Sequence, residues 1–511
     1  MNEKPRSKWY WRLLRWGLIG LAGLITLAAV AITEEDYRGK HEWSSYLRAA
    51  EARGEHIDLT WAVPPTVPDD QNFFAAPMVA EAFKAEQQRQ ADQKSVLAGN
   101  LDMNLYRGDN TRWPDGEAGN WQLRTKIDLK PWQTYFREYS QSPEGQTNGF
   151  PTAKLPQTPA ADVLLALSTF DQSIEALRQA SLRPSARAPL AYEKGLDDIN
   201  SLMPWLAVEK RWTQVMRLRS LAELQAGQSQ PALDNIKLSM RLADTLRDQP
   251  YLISHLVRIA MMAIALPQPI YEGIAEKRWN DAQLADLETT LATEDLLKDF
   301  QHAMRGERTC ALASIESWRI TRKAEFNLGN GQSSVTSFRL MPSAFFYQNE
   351  QAIAERWEDF IRPLADPTRH MISLATYRAG EKTYAEATNH YSPYKIFANE
   401  NFTAVSGSIL KFAYAQTQID LARVACALER YRLAHGHLPE TLEVLAPGLI
   451  PALPCDLING QPLHYRRTDD GGYVLYSLGW NETDDGGTVA VTKKGAVDRN
   501  QGDWVWQLPA K

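Results

Sequence analysis

The stretch LARVACALERYRLAHGHLPETLEVLAPGLIPALPCDLINGQPLHYRRTDDGGYVLYSLGWNETDDGG, Leu421–Gly487, decides how the chain is read. On a period of 3.6 residues Leu421, Val424, Ala425, Leu428 and Tyr431 fall on one face of a helix. Ile419, Ala422, Cys426 and Leu433 form a second apolar stripe, with Asp420, Arg423 and Arg430 between the two. Two stripes imply packing on two sides, so the helix is expected to touch its own sheet with one and the rest of the protein with the other. It should end near His435 and Gly436, where glycine supplies the left-handed terminal residue and Pro439 forbids continuation.

In Leu438–Leu445, Pro439 and Glu440 can open a short helix, and Pro447–Pro454 holds too much proline for regular structure. Pro462–Arg467 and Tyr473–Leu478 flank Asp469-Asp470-Gly471-Gly472, the turn chemistry of a β-hairpin. Gly479–Gly487 then concentrates carboxylates and glycines. Such a loop either is a solvated turn or holds a hard cation.

Four pieces carry a resemblance: Tyr431–Leu442 (YRLAHGHLPETL), Leu453–Asp456 (LPCD), Pro462–Tyr465 (PLHY), and Leu475–Gly479 (LYSLG) with its acidic loop. In order and spacing they resemble the globular part of the major pseudopilin of type II secretion systems, over about a fifth of the chain. The resemblance implies a helix on a small antiparallel sheet and a calcium site after the Ser-Leu-Gly strand. By position it assigns Asp484 and Asp485 to that site, closed by Asp503 of Gly502-Asp503-Trp504. Two departures stand out. Thr488–Gln501 is an insertion, and the helix is led in by Asn401, Lys411, Gln416, Gln418 and Asp420, which cannot lie in a bilayer. Filament assembly is therefore not carried over. The whole chain also looks like long membrane proteins of planctomycete and verrucomicrobial type, a likeness that implies no activity.

With 511 residues, 44% of them hydrophobic, and a net charge of -6, the chain can bury large cores and should hold two or more domains. That balance points neither to nucleic acid nor to disorder. Cys310, Cys426 and Cys455 are too few for a disulfide framework and lack metal spacing. Cys426 and Cys455 could pair in an oxidising compartment, although two such cysteines are more often small buried hydrophobes.

Near the amino end, Lys4, Arg6, Lys8, Arg12 and Arg15 precede an uncharged run from Trp16 to Ile32, followed by Glu34, Glu35 and Asp36. Seventeen helical residues extend about 25 Å, at the short end for a hydrocarbon core of roughly 30 Å. Trp9, Tyr10, Trp11 and Trp16 supply interfacial anchors. The expectation is an uncleaved single-pass anchor in a bacterial inner membrane, amino end in the cytoplasm and bulk outside. The competing reading is a signal peptide cleaved at Ala29-Val30-Ala31.

The expected class is α+β, in four segments: a basic stub and anchor (1–33), an exported linker and irregular layer (34–160), a helical hairpin bundle or solenoid (161–400), and the pseudopilin-like module (401–511). Helices are expected at Tyr37–Arg53, Pro77–Gln93, Ala161–Gln179, Pro189–Met203, Trp205–Ala226, Pro231–Arg247, Tyr251–Glu276, Asp281–Leu291, Leu296–Phe326 and Pro342–Leu364, with shorter pieces at His370–Tyr377 and Tyr384–Phe397. Glu55–Phe74, with Pro64, Pro65 and Pro68, reads as an extended linker, and Leu328–Ser337 as a loop. Gly227–Ala232 looks like the joint of one tetratricopeptide-type hairpin. Tyr251–Pro267 is apolar, but His255 and Arg258 make it a core helix rather than a second span.

No zincin His-Glu pair, nucleophile elbow, Walker loop or dinucleotide fingerprint occurs. His302, Glu307, Arg308 and Cys310 lie close together on one expected helix, where an ordinary polar face outweighs a nucleophile pair. Glu307 with Arg305 and Arg308 reads as ion pairing, and His41-Glu42 and His435 with His437 as possible ligands, although the latter sit where the resemblance places a helix exit, so capping or solvation suffices. The sequence thus implies a membrane-anchored binding or scaffold protein with protein partners and no nucleic acid. The alternative is an envelope hydrolase with dispersed catalytic residues. A pocket lined by His302, Glu307 or another convergent ionisable set would favour the enzyme, and a pocketless surface of exposed Trp and Tyr would favour binding.

Overall fold

A computed structural model describes residues 9–55, 57–58, 61, 63–92, 103–105, 118–143, 145–190, 203–327, 333–389, 392–399 and 406–508. The protein is α+β: mainly helical, with small antiparallel sheets and a long apolar helix near the amino end. Its residues form two compact units, each discontinuous in sequence.

The first unit comprises residues 1–61, 308–360 and 379–404. Its long amino-terminal helix, Trp9–Ala52, runs 44 residues without interruption, so the apolar run and the expected Tyr37–Arg53 helix are one element. The apolar window is wholly exposed. Burial begins at Gly39, continues through Trp43 and Ala50, and faces the helix Ser343–Arg356. Gly39 permits that approach, since a Cβ there would stand 3.4 Å from the Ala344 Cα. Trp43, Leu312, Ile315, Phe338, Phe345, Phe346 and Ile353 fill the core between them.

The second unit comprises residues 62–307, 361–378 and 405–511. Its centre is the helix Ile409–His435, in which 18 of 27 residues are buried, far more than an amphipathic surface helix hides. One side packs on the helices Pro267–Ala275 and Asp281–Leu291, and the other on the strands Trp504–Leu508 and Tyr473–Ser477. This is the two-sided packing that the twin stripes imply. It ends at Gly436, whose φ of 79° is the left-handed conformation glycine adopts without a Cβ penalty.

Polar groups between the stripes all find partners. Asp420 meets the His370 Nε2 at 2.8 Å and accepts from Gln416, Arg423 pairs with Glu288, and Arg430 pairs with Asp281. The expected hairpin forms as His464–Arg467 against Tyr473–Ser477, and Trp504–Leu508 adds a third antiparallel strand beside the second. Trp506 stacks near Trp121 with ring centres 4.7 Å apart, and the Tyr414 hydroxyl donates to Gln122 at 2.7 Å. An aromatic seam thus joins this sheet to the helical body.

The tetratricopeptide-like joint is a helix hairpin, Pro204–Gln225 and Ser229–Asp244, turning at Gly227. Other boundaries shift for local reasons. Leu266 and Pro267 break the Tyr251–Glu276 run into Leu252–Ala265 and Pro267–Ala275, because proline lacks the N–H that would continue the ladder. The Leu296–Phe326 helix stops at Thr321, and Lys323–Asn327 turns back to pair with Ser333–Ser337. The Pro342–Leu364 helix leaves α geometry after Arg356. His370–Tyr377 and Tyr384–Phe397 give way to a strand at Met371–Ile372 and a helix Leu374–Asn389. Most of Pro189–Met203 lies outside the described residues.

The helix Leu252–Ala265 is a core element, and Arg258 is its most constrained residue. Its guanidinium is fully buried against Asp244 at 2.9 Å, Asp299 at 2.6 Å and Glu294. Gly306 lets the next long helix approach this region, since a Cβ there would meet the Pro250 carbonyl oxygen at 1.5 Å. Burial pushes Asp299 up to about 6 despite Arg258, and raises Asp244 as well. A folded carboxyl that holds its proton more tightly than the unfolded chain makes stability fall as pH rises from about 4 towards the folded value. Removing Arg258 extends that fall upward. Arg258→Met is expected to cost about 3–5 kcal/mol at pH 8 and clearly less at pH 5, read by urea unfolding. A cost equal at both pH values would contradict the network.

Candidate functional site

Two places in the second unit gather functional side chains. The first is a cleft of about 350 Å³. Its near wall forms where Ser181–Arg187, leaving the helix Asp171–Ala180, lies along Gln71–Phe73. Phe73 N donates to Ser185 O at 2.8 Å, and Ser185 N to Gln71 O at 3.1 Å. Asn72 fastens the pair, its Oδ1 accepting from Arg187 N and its Nδ2 donating to Arg187 O. The far wall is the end of the helix Ser229–Asp244 with Thr245–Asp248. Pro64 and Pro65 also line the cleft, so part of the expected linker Glu55–Phe74 is a built wall.

The chemistry of the cleft follows from its arginines. Arg183, Arg187, Arg241 and Arg247 line it against Asp244 and Asp248, leaving a net charge of +2 within a chain of -6. Arg183 donates to the carbonyls of Asp69 and Asn72, and Arg241 to that of Ser181. Neither has a carboxylate partner among the described residues. Arg247 is tied to Asp244 and Glu294, and so to the buried Arg258. Thr245 donates to Glu209, whose carboxyl burial raises well above its usual range. Among the described residues no histidine, glutamate or cysteine lines the cleft. Guanidinium groups hold their protons throughout, so the arginines supply fixed positive charge. A second hollow of about 440 Å³ is lined by Asp171, Arg219 and Glu223, whose charges pair with one another.

The second place is the acidic loop. The fold brings Asp503 to it, as the resemblance implies, and buries that carboxylate to 2% exposure. Asp503 accepts from the backbone N–H of Gly487 at 2.7 Å and from those of Asp485 and Thr488 at 3.3 Å. Asp484 accepts from the Tyr476 hydroxyl and Gly486 N, and Asp485 from the Asn481 amide. Calcium takes six to eight converging oxygens. Here all three carboxylates accept from protein donors, and among the described residues no three His, Cys, Asp or Glu form a group able to hold a metal ion. Asp503 latches the loop directly. The Thr488–Gln501 insertion contributes a two-stranded hairpin, Val489–Val491 with Val497–Gly502.

The residues singled out on the Leu296–Thr321 helix do not converge. His302 faces the buried His255 across 5.6 Å, and burial lowers both imidazoles, His255 to about 3. Glu307 accepts from Leu252 N at 2.9 Å at the start of the helix Leu252–Ala265, and burial raises its carboxyl. Arg308 falls in the first unit, where it meets Glu55 and Glu358 and lies 3.8 Å over the Trp357 ring. Cys426 and Cys455 are free thiols, the first buried and the second exposed, and Cys310 is half-buried. His41 and Glu42 are exposed on the long amino-terminal helix, while His435 stacks on Tyr431 at the helix exit. Sequence reasoning missed the cleft, because its arginines are spread over some sixty residues.

Comparison with protein-family models, with curated proteins and with solved structures found no match to this chain.

The latch gives a direct prediction. Asp503→Ala orphans three backbone N–H groups and should cost about 1–3 kcal/mol in urea unfolding, whereas the half-exposed Asp484→Ala should stay within about 0.5 kcal/mol. The same melts with calcium and with chelator test the resemblance. A latch alone gives superimposable curves, and a calcium-dependent rise that Asp484→Ala with Asp485→Ala abolishes would establish a cation there instead.

Proposed function

We propose that this chain is a membrane-anchored binding protein of a bacterial envelope. The anchor helix holds it in the inner membrane with the amino end in the cytoplasm, and the exported second unit binds an anionic ligand in the cleft between Gln71–Phe73, Ser181–Arg187 and Arg241–Asp248. The long, wholly exposed apolar helix supports the anchor. The order of long helix, hairpin and acidic loop supports the likeness to the globular part of a pseudopilin, and with it a place beside a secretion-type assembly.

The observation that carries the binding reading is the cleft's uncompensated charge. Arg183 and Arg241 are held by backbone carbonyls, which orient a guanidinium without neutralising it. Oriented guanidinium groups are suited to carboxylate and phosphate, which they grip bidentately. The volume is within the usual range for a small-molecule site.

The test is calorimetric titration of the full-length protein in detergent with pyrophosphate and with citrate. Binding is expected, weakened by added salt as charge recognition requires. In Arg183→Ala with Arg241→Ala it should weaken about tenfold or more, since one hydrogen bond to a charged group contributes roughly 1.5–3 kcal/mol. Arg178→Ala, outside the cleft, should bind as the parent does. Affinity indifferent to the double substitution, or no binding of either anion, would contradict the reading.

A further inference from the structure

The end of the first unit nearest the apolar span displays large apolar side chains to solvent. Leu340 is 98% exposed, Ile320 67% and Met341 43%. None of them belongs to the unit's core, which Phe338, two residues before Leu340, helps to close.

Contacts along the anchor helix fix where these residues lie. Ala344 N, in the first turn of Ser343–Arg356, donates to Asp36 Oδ1 at 2.6 Å. Gln348 donates to Glu35. Just past the other end of that helix, Glu358 meets Arg308, which also pairs with Glu55, beyond the carboxyl end of the anchor helix. The Ser343–Arg356 helix therefore runs parallel to the anchor helix and starts at its membrane end. The helix that ends at Thr321 runs the opposite way, from Arg308 near Glu55 to Arg322, whose Nη1 donates to Met341 O and Nη2 to Ser343 Oγ. Ile320, Leu340 and Met341 are thus gathered at one end, and Arg322 pins the turn there.

Height along the helix sets the environment. Asp36 lies four residues beyond Ile32, about 6 Å along the axis. The headgroup layer on each side of a bilayer is roughly 5–7 Å thick. Leu340, four residues before Ala344, sits on chain that can reach ~13 Å from that point. Exposed Lys323 and Arg339 flank the apolar residues, the pairing of apolar and basic groups that favours a lipid surface.

We propose that the turn Phe338–Met341 is a second membrane contact: Leu340 and Met341, with Ile320 at the same end of the unit, seat at the boundary of acyl chains and headgroups, and Lys323 and Arg339 meet lipid phosphates. The contact rests on the anchor reading above, since the bilayer it touches is the one that holds Trp16–Ile32. Two attachments orient the first unit against the membrane, where one helix alone leaves it free to swivel.

The test is photolabelling of the full-length protein in vesicles of phosphatidylcholine and phosphatidylglycerol carrying a diazirine phospholipid, with labelled peptides mapped by mass spectrometry. Label is expected on Trp16–Ile32 and on the turn 338–341. Leu340→Asp with Met341→Asp should lose the label on the turn, keep that on the anchor, and unfold at the parent's midpoint. Label on the anchor alone overturns the contact and leaves the anchor standing. Label on neither segment overturns both. Crosslinks from the turn to a second copy of the chain in place of lipid show that a protein occupies this surface, and also overturn the contact.

Discussion

A helix buried on nearly every side can carry charge only where each charged group meets a partner, and the second unit is arranged around that constraint. The Ile409–His435 helix sends Asp420, Arg423 and Arg430 into its surroundings; His370 answers the first, and Glu288 and Asp281, both on the helix Asp281–Leu291, answer the other two. An unpartnered charge at the buried Asp420 would cost several kcal/mol. Gln416 extends the pattern, its side-chain oxygen accepting from Leu296 N at the start of another helix. The register of the central helix is therefore set by polar partners as much as by its apolar stripes.

The same logic connects the core to the cleft. Arg258 is buried because Asp244, Glu294 and Asp299 surround it, and Asp244 and Glu294 in turn hold Arg247 at the cleft wall. An arginine of the cleft wall is thus supported by a fully buried one. Arg183 and Arg241 are positioned differently, by carbonyl oxygens that leave their charge unspent. This division between neutralised and carbonyl-held guanidinium groups leaves the cleft with a net positive lining.

Much of the fold was legible in local pattern. The two stripes on the central helix, the glycine at its end, the Asp-Asp-Gly-Gly hairpin and the turn at Gly227 all act over a few residues, where sequence speaks directly. The approach of Asp503 to the acidic loop was legible only through a resemblance, and the donors that occupy it were not. What could not be read were long-range matches. Nothing local to Arg258 announces three acids up to 41 residues away, and nothing in Pro64-Pro65 announces a wall opposite Arg241. The helix carrying His302, Glu307 and Arg308 shows the converse, since neighbours in sequence were drawn to different partners.

The central claim is that the helix Ile409–His435 and its sheet share one core with the helical body. Native-state hydrogen exchange on the full-length protein tests it most directly. The amides of Phe412–Leu428 and Tyr473–Ser477 should be among the slowest and should open together with those of the hairpin helix Ser229–Asp244, with one free energy. Opening of the central helix and sheet as a separate, faster unit, while the hairpin stays protected, would contradict it and leave the carboxyl-terminal hundred or so residues as an appended module.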